Sequence, residues 1–346
     1  MTLPAHSTGG QDQVELAAAL EREFAGLAIG VVIPAYDVEE QIGRVIAGLP
    51  GYVCAIIVID DASRDRTLER LRALADSRLI VLAHDSNRGV GAAMATGLAR
   101  ALQEKLDIVV KMDGDDQMDP AYIPDLLRPL VGGKADMSKG NRYADLVALR
   151  AMPFFRIVGN AGLTFLVKAA SGQWSLFDPA NGYFAIRTGV LRHMQLEKLP
   201  ARYFFESGLL IKLGILRAVV MDVAIPARYA DEKSSLSIPR TLLGFPPRLL
   251  AGMLRRLFWR YVVYDFTALS LYLLLGIPAL IGGVIYGATL WLTLHQSNEY
   301  AHPGQVMLAA MPIILGAQLL LQAISLDIAN TPRTPISPPL KKYSSL

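Results

Sequence analysis

The chain has 346 residues, of which 52% are hydrophobic and 19% charged, with a formal net charge of +3. That leaves room for one sizeable α/β domain plus an apolar appendage, and a charge so near balance excludes nucleic acid as the expected partner. The single cysteine, Cys54, rules out an intrachain disulfide; within the apolar run YVCAIIVID it reads as a small buried hydrophobe.

The first 25 residues lack a basic start, and Glu15, Glu21, Arg22 and Glu23 interrupt or flank their one apolar stretch. They read as a short polar helix, not as a signal peptide, so the soluble part is expected to remain cytoplasmic. From residue 29 onward, apolar runs of strand length alternate with segments of helical period. IGVVIPAY is followed by Ile42, Val45, Ile46 and Leu49 at helical spacing, ending near Pro50-Gly51. AIIVIDDAS precedes a helix carrying Leu68, Leu71 and Leu74; LIVLAHD precedes a glycine-containing turn and a helix from about Gly91 to Leu102; DIVVKMDGDD closes the series. This alternation predicts an α/β fold with a mostly parallel sheet wrapped by helices. From Ala121 to Arg240 the pattern is less regular, as expected where loops, and not more sheet, complete a site.

Composition then shifts. Phe266–Leu294 and Val306–Leu326, 29 and 21 residues, contain no Asp, Glu, Lys or Arg, and roughly 20 apolar residues span a bilayer core. Both read as transmembrane helices, with a buried hairpin of a soluble protein as the alternative. The connecting segment 295–305 has no Lys or Arg, whereas Arg255, Arg256 and Arg260 precede the pair and Arg333, Lys341 and Lys342 follow it. The positive-inside rule therefore places both ends in the cytoplasm. Gln318 and Gln322 read as inter-helix hydrogen-bonding residues. Leu250, Met253, Leu254, Leu257, Phe258 and Tyr261 share one helical face, with Arg248, Arg255 and Arg256 elsewhere; the pattern alone fits an interfacial helix lying on anionic lipid or an amphipathic helix packed on the domain, and adjacency to a membrane span favours the first.

The strongest chemical signal is KMDGDDQMDP, where an apolar strand ends. Asp113, Asp115 and Gln117 place hard oxygen ligands on one turn, suited to Mg²⁺ or Mn²⁺ bridging a diphosphate, and open α/β sheets bind ligands at strand ends. Asp60 and Asp61 also end a strand; they suit hydrogen bonds from a nucleobase or ribose, or else Asp61 or Ser63 caps a helix, with Asp65 the better cap. Asn87-Arg88-Gly89-Val90-Gly91 follows a third strand, but Met94 stands where a dinucleotide fingerprint needs its third glycine, which excludes a nicotinamide or flavin enzyme. Its glycines then serve a tight turn and close packing, with Arg88 available to a phosphate.

VVIPAYDVEE, VIDDASRDRT, NRGVGAAMATG, MDGDDQMDP and GNRY, in this order and spacing, resemble the family 2 glycosyltransferases of GT-A fold. With two apolar spans after the domain, the chain resembles their dolichol-phosphate mannosyltransferase and polyprenyl-phosphate glycosyltransferase group. The resemblance covers roughly residues 28–240. It implies that Pro34, Tyr36 and Glu39 (or Glu40) border the nucleoside, that Asp61 with Asp60 contacts the base, and that Arg88 and Asp113 complete the nucleotide site. It further implies that Asp113, Asp115 and Gln117 hold the metal and that Arg142 faces a phosphate. Asp178, in SLFDPANGYFAIR, falls near the reacting carbon, and Glu206, in RYFFES, occupies a commonly acidic position with a structural role equally open. Arg228, Lys233 and Ser234, in ARYADEKSSL, are implied to clamp phosphates.

The expectation is an inverting enzyme, with Asp115, Asp178 and Arg142 as its catalytic residues, that transfers a sugar from a nucleotide diphosphate sugar to a polyprenyl phosphate. A lipid phosphate is already anionic, so base catalysis by Asp178 is optional. The expected domains are 1–27, 28–238 (GT-A), 239–264 (juxtamembrane), 265–327 (membrane anchor) and 328–346 (cytoplasmic tail), located at the plasma membrane with self-association left open. The rivals are a transferase acting on a polysaccharide or glycolipid, a nucleotidyltransferase, and a silent nucleotide-binding membrane scaffold; two spans are too few for the channel of a processive synthase.

Overall fold

The computed structural model describes residues 10–144, 154–226, 238–297 and 299–340. The chain forms two compact units, one of residues 1–252 with 332–346 and one of residues 253–331.

In the first unit, helix α1 (Gly10–Phe24) leads into β1 (Ile29–Ala35), α2 (Ile42–Ala47), β2 (Ala55–Asp60), α3 (Thr67–Ala73), β3 (Leu79–Ala83), α4 (Val90–Gln103) and β4 (Ile108–Lys111). After β4 come α5 (Ile123–Val131), β5 (Met137–Asn141), α6 (Phe154–Ser171), β6 (Phe184–Arg187), α7 (Thr188–Leu191), α8 (Phe205–Leu216) and β7 (Val220–Ala224). The seven strands make one sheet in the order β3-β2-β1-β4-β6-β5-β7, parallel throughout except for β6, which is antiparallel to both neighbours. The central strands β2 and β4 are buried at every residue, and β1 at all but Pro34, which is why they read as continuous apolar runs and not as alternating ones. Phe24 of α1 joins this core, its ring 5.1 Å from that of Tyr52.

Two expectations are corrected here. The segment from 121 to 240 adds three more strands to the sheet, which its sequence conceals because β5 reads Met-Ser-Lys-Gly-Asn, polar yet wholly buried. Cys54 is exposed, because it stands one residue before β2 enters the core.

Residues 332–340 also belong to this unit. Asp136, fully buried, accepts hydrogen bonds from the backbone N–H groups of Val219 (2.9 Å), Ile336 (3.0 Å) and Ser337 (2.9 Å). Buried Arg187 donates to the carbonyls of Ser337 and Pro338. Deleting residues 332–346 removes two donors from Asp136 and both acceptors from Arg187, and a buried group left unsatisfied costs about 1–3 kcal/mol. The melting midpoint of the detergent-solubilised protein is expected to fall by about 5 °C or more. An unchanged midpoint in differential scanning fluorimetry would show that the tail contributes nothing to the fold.

Helix α9 (Ile238–Phe258) carries the chain across the boundary between the units. In the second unit a π-helical turn, Trp259–Tyr264, precedes α10 (Ala268–Ser297) and α11 (Pro303–Ala329). These last two helices, 30 and 27 residues with mean hydropathies of 2.2 and 1.9, are long and apolar enough to cross a membrane. Their backbones meet through glycines: a Cβ at Gly316 would lie 2.6 Å from the Leu280 nitrogen, and one at Gly283 would lie 2.9 Å from Ile313. Small residues of this kind allow the contacts that hold apolar helices together. Gln318 and Gln322, expected to join the helices, instead lie on the exposed face of α11. Arg256, expected to face lipid headgroups, is buried and bound by both guanidinium nitrogens to Asp327, each contact 2.8 Å.

Candidate active site

Three strand ends create the site. Register sets Ala35 opposite Asp60 and Val32 opposite Lys111, so the loops after β1, β2 and β4 emerge side by side. Chain order reverses direction between β2-β1 and β1-β4, which leaves a crevice at this point of an open α/β sheet. A cleft of about 490 Å³ occupies it, lined by Pro34, Tyr36, Asp37, Asp61, Asn87, Gly89, Asp113, Asp115, Arg202 and Tyr203 among others. Each of the three loops carries a non-glycine residue in the left-handed region: Asp37 (φ 53°), Ala62 (φ 59°) and Asp116 (φ 63°). Such conformations cost about 1–3 kcal/mol each and gather where the surrounding structure holds a site in shape.

Pro34, Tyr36, Asp61, Asp113 and Asp115 thus come together as expected, with Asp115 half-buried. Other expected residues are placed elsewhere. Glu39 is not among the lining residues; its carboxylate accepts the Arg66 N–H at 2.8 Å, and Asp37 is the acid of this loop that lines the cleft. Asp37 accepts the Arg64 N–H at 2.7 Å and donates its own N–H to Ser63 Oγ. Asp60 is buried behind the cleft and accepts the Ser63 N–H. Asp65, expected as the cap of α3, lies one residue before the N-cap position, which Arg66 occupies; its carboxylate accepts the N–H of Thr67 at 2.9 Å and that of Glu39 at 3.0 Å. The Arg88 side chain is exposed and outside the cleft lining. Gln117 contributes its backbone N–H to Asp115 Oδ1 at 3.2 Å and does not line the cleft. Arg228, Lys233 and Ser234 lie outside the described residues.

Asp61 is more committed than a free nucleobase acceptor. One oxygen accepts the Arg88 N–H (2.9 Å) and meets His84 Nδ1 (2.7 Å), while the other accepts the Gly89 N–H (2.7 Å). His84 reaches Thr96 Oγ1 on α4 through its second ring nitrogen at 3.0 Å. The carboxylate therefore pins the 87–91 turn against the strand ends. Glycine is required in that turn, since Gly89 has φ +92° and a Cβ at Gly91 would sit 2.0 Å from the Pro200 carbonyl oxygen. The segment 200–205, pressed against this turn, adds Arg202 and Tyr203 to the cleft lining. Sequence reasoning missed His84, Arg202 and Tyr203; the only local signal for His84 was its place at the end of a strand.

From Lys111, which contacts the cleft acid Asp113, a line of residues crosses the sheet. Cross-strand partners Lys111, Phe184, Lys139 and Asp222 fall in one register line across β4, β6, β5 and β7, and directly opposed residues share a face. Burial alone would depress Lys111, but Asp113 and Glu206 outweigh it and hold its pKa above the usual lysine value. Lys139 bonds the Asn181 carbonyl, and burial pushes its pKa down to about 8. Burial pushes Asp222 up to about 6. Alongside, Arg142 grips both oxygens of fully buried Asp178 at 2.8 and 3.1 Å while remaining 41% exposed itself. Asp178 is thus engaged in holding the guanidinium.

Asp113 and Asp115 put hard oxygen donors into the same cleft, and among the described residues no three His, Cys, Asp or Glu side chains gather to hold a metal by themselves. Two carboxylates fit Mg²⁺ or Mn²⁺ shared with substrate phosphates, since these ions complete their shells with phosphate and water oxygens.

Residues 30–194 match the family described as Glycosyl transferase family 2. An uncharacterized protein of Methanocaldococcus jannaschii is 36% identical over 60% of this chain and 84% of its own length. The UDP-N-acetylglucosamine–dolichyl-phosphate N-acetylglucosaminyltransferase of Methanococcus voltae is 28% identical over 64% of this chain and 94% of its own. Among solved structures, glucosyl-3-phosphoglycerate synthase of Mycobacterium tuberculosis, crystallised with Mn²⁺, UDP-glucose and phosphoglyceric acid, superposes with a TM-score of 0.51 at 25% identity, covering 74% of this chain and 86% of that one. The first unit has the GT-A fold, and the chain belongs to glycosyl transferase family 2.

Proposed function

We propose that the chain is an inverting glycosyltransferase that moves a sugar from a UDP- or GDP-sugar to a polyprenyl phosphate at the cytoplasmic face of the plasma membrane. The observation that carries this reading is an acid-lined cleft at the strand ends in a chain that also has two helices of bilayer length. The similarity to the Methanococcus voltae dolichyl-phosphate N-acetylglucosaminyltransferase supports the same acceptor class. The chain leaves the first unit at residue 252 and rejoins it at 332, so two crossings return it to the face it left. The arginines before α10 and the basic tail favour the cytoplasm for that face.

In this reading residues 28–238 are catalytic, 239–264 form a juxtamembrane segment, 265–327 anchor the chain, and 1–27 and 328–346 are terminal segments, of which Phe24 and residues 332–340 pack into the first unit. Tyr36 and Pro34 border the nucleoside. Asp61 shapes the 87–91 wall. Asp113 and Asp115 would hold Mg²⁺ or Mn²⁺, which, when bound, neutralises charge developing on the departing diphosphate. An oxygen of the lipid phosphate forms the new bond to the anomeric carbon as the bond from that carbon to the β-phosphate oxygen breaks, and one such displacement inverts configuration. No proton need be removed from an anionic nucleophile, which accords with Asp178 being occupied by Arg142. The task left to the protein is to offset repulsion between two phosphate-bearing partners, for which Arg142 and the basic residues Arg228 and Lys233, with Ser234, are suited.

A panel of nucleotide sugars is to be offered to the purified protein with a short-chain polyprenyl phosphate and Mg²⁺ or Mn²⁺, with products read by mass spectrometry and anomeric configuration by NMR. One sugar–lipid phosphate of inverted configuration is expected. Transfer to a glycan or glycolipid alone, or a retained anomer, would overturn the proposal.

A further inference from the structure

Lys111 ends β4 with 2% of its surface exposed. Its Nζ lies 2.8 Å from Asp113 Oδ1 and 3.5 Å from Glu206 Oε1 on α8. Backbone closes over the group, for a Cβ at Gly182 would lie 2.5 Å from that nitrogen and 3.2 Å from the other Asp113 oxygen. The ammonium is therefore enclosed by a strand, a loop and a helix. Burying a charge costs several kcal/mol even after relaxation and is offset only by close, well-placed partners. Both partners here are acids, and one of them lines the cleft.

The charge balance of that cleft makes the placement consequential. Asp37, Asp61, Asp113 and Asp115 all line it, and a diphosphate would add further negative charge. A cation fixed behind Asp113 lowers the negative charge of the floor without occupying the space a nucleotide needs. It also removes the freedom of the carboxylate to rotate, which is how supporting groups tune the ligands of a metal site.

We infer that Lys111 is a positioning residue of the donor site: its buried ammonium holds one oxygen of Asp113, fixing how that carboxylate meets the cleft, while Glu206 balances the charge from α8. This rests on the reading of the Asp113–Asp115 cleft as the metal and nucleotide site. Glu206 then belongs to the site through Lys111 and not through contact with substrate.

Binding of Mn²⁺ to the full-length, detergent-solubilised protein in the presence of UDP or GDP, followed by electron paramagnetic resonance, tests the inference without turnover. The unsubstituted protein is measured first; if it binds no Mn²⁺ with either nucleotide, the reading of the cleft fails before Lys111 is tested. Given binding, Lys111→Met is expected to weaken it at least about tenfold. Lys111→Gln, which keeps a donor for Asp113 but loses the charge, is measured alongside in case Lys111→Met does not fold, and the same loss is expected. Adding Asp113→Asn to either variant is expected to cost little more, because the two residues act as one unit. Binding within twofold of the unsubstituted protein in a folded Lys111 variant, or strictly additive losses, would overturn the inference.

Discussion

Replacing Asp115 by alanine is expected to lower sugar transfer at least about a thousandfold, equivalent to about 4 kcal/mol of transition-state stabilisation, while leaving the melting midpoint within about 2 °C. The size follows from the proposed role. A carboxylate that holds the ion on a departing diphosphate acts where charge develops, and loss of such a group appears in turnover and not only in affinity. The small effect on stability follows from the setting: Asp115 is half-buried on the loop after β4, outside the apolar core, and accepts the Gln117 N–H within that same loop. Asp115→Asn can still accept that hydrogen bond but lacks the charge, so a comparable loss is expected. Steady-state kinetics beside scanning fluorimetry decide the matter; unfolding in step with lost activity would make Asp115 a structural residue of the turn.

The second large effect lies in the other unit. Asp327→Ala is expected to destabilise it by about 3–5 kcal/mol, the range for breaking a buried ion pair by removing one partner. Arg256 is 1% exposed and keeps two 2.8 Å bonds to Asp327, which also accepts the Tyr261 hydroxyl at 2.6 Å. Without the carboxylate, a buried guanidinium loses these two hydrogen bonds and the phenol loses this one together. Because replacing both members of such a pair by apolar groups is often neutral, Arg256→Met combined with Asp327→Leu is expected to recover most of the loss. The measurement is limited proteolysis and thermal aggregation in detergent. A double variant no better than Asp327→Ala alone would contradict the pair as the source of the effect.

The tail contact changes how an anchor deletion should be designed. Removing everything from 266 onward takes away residues 336–338 together with the membrane helices, although these three bind Asp136 and Arg187 in the first unit. A deletion that stops at residue 331 retains those three residues in the chain, so loss of the anchor can be tested apart from loss of their hydrogen bonds.

Much of the site was legible in the chain because its signals are local. Strand-length apolar runs, the acids that end them and the two spans without charge can be read within windows of a few to about thirty residues. The glycines of the 87–91 turn and the bond from the Thr67 N–H to Asp65 are likewise short-range. Hydropathy did not reveal β5, since a buried strand reading Met-Ser-Lys-Gly-Asn depends on partners from elsewhere to satisfy its polar groups.

Those partners are what tertiary structure alone decided. Asp61 meets His84 across 23 residues, Arg256 meets Asp327 across 71, and Asp136 meets Ser337 across 201. No period or composition encodes such pairs, because each exists only after sheet order and chain crossings have brought the groups within hydrogen-bond distance. The chain by itself determined which strand ends carry acids and which segments are apolar enough to leave water. Folding decided which acids line the cleft, which are spent on backbone amides, and which cation stands behind Asp113, since a buried charge persists only where several distant groups converge to compensate it.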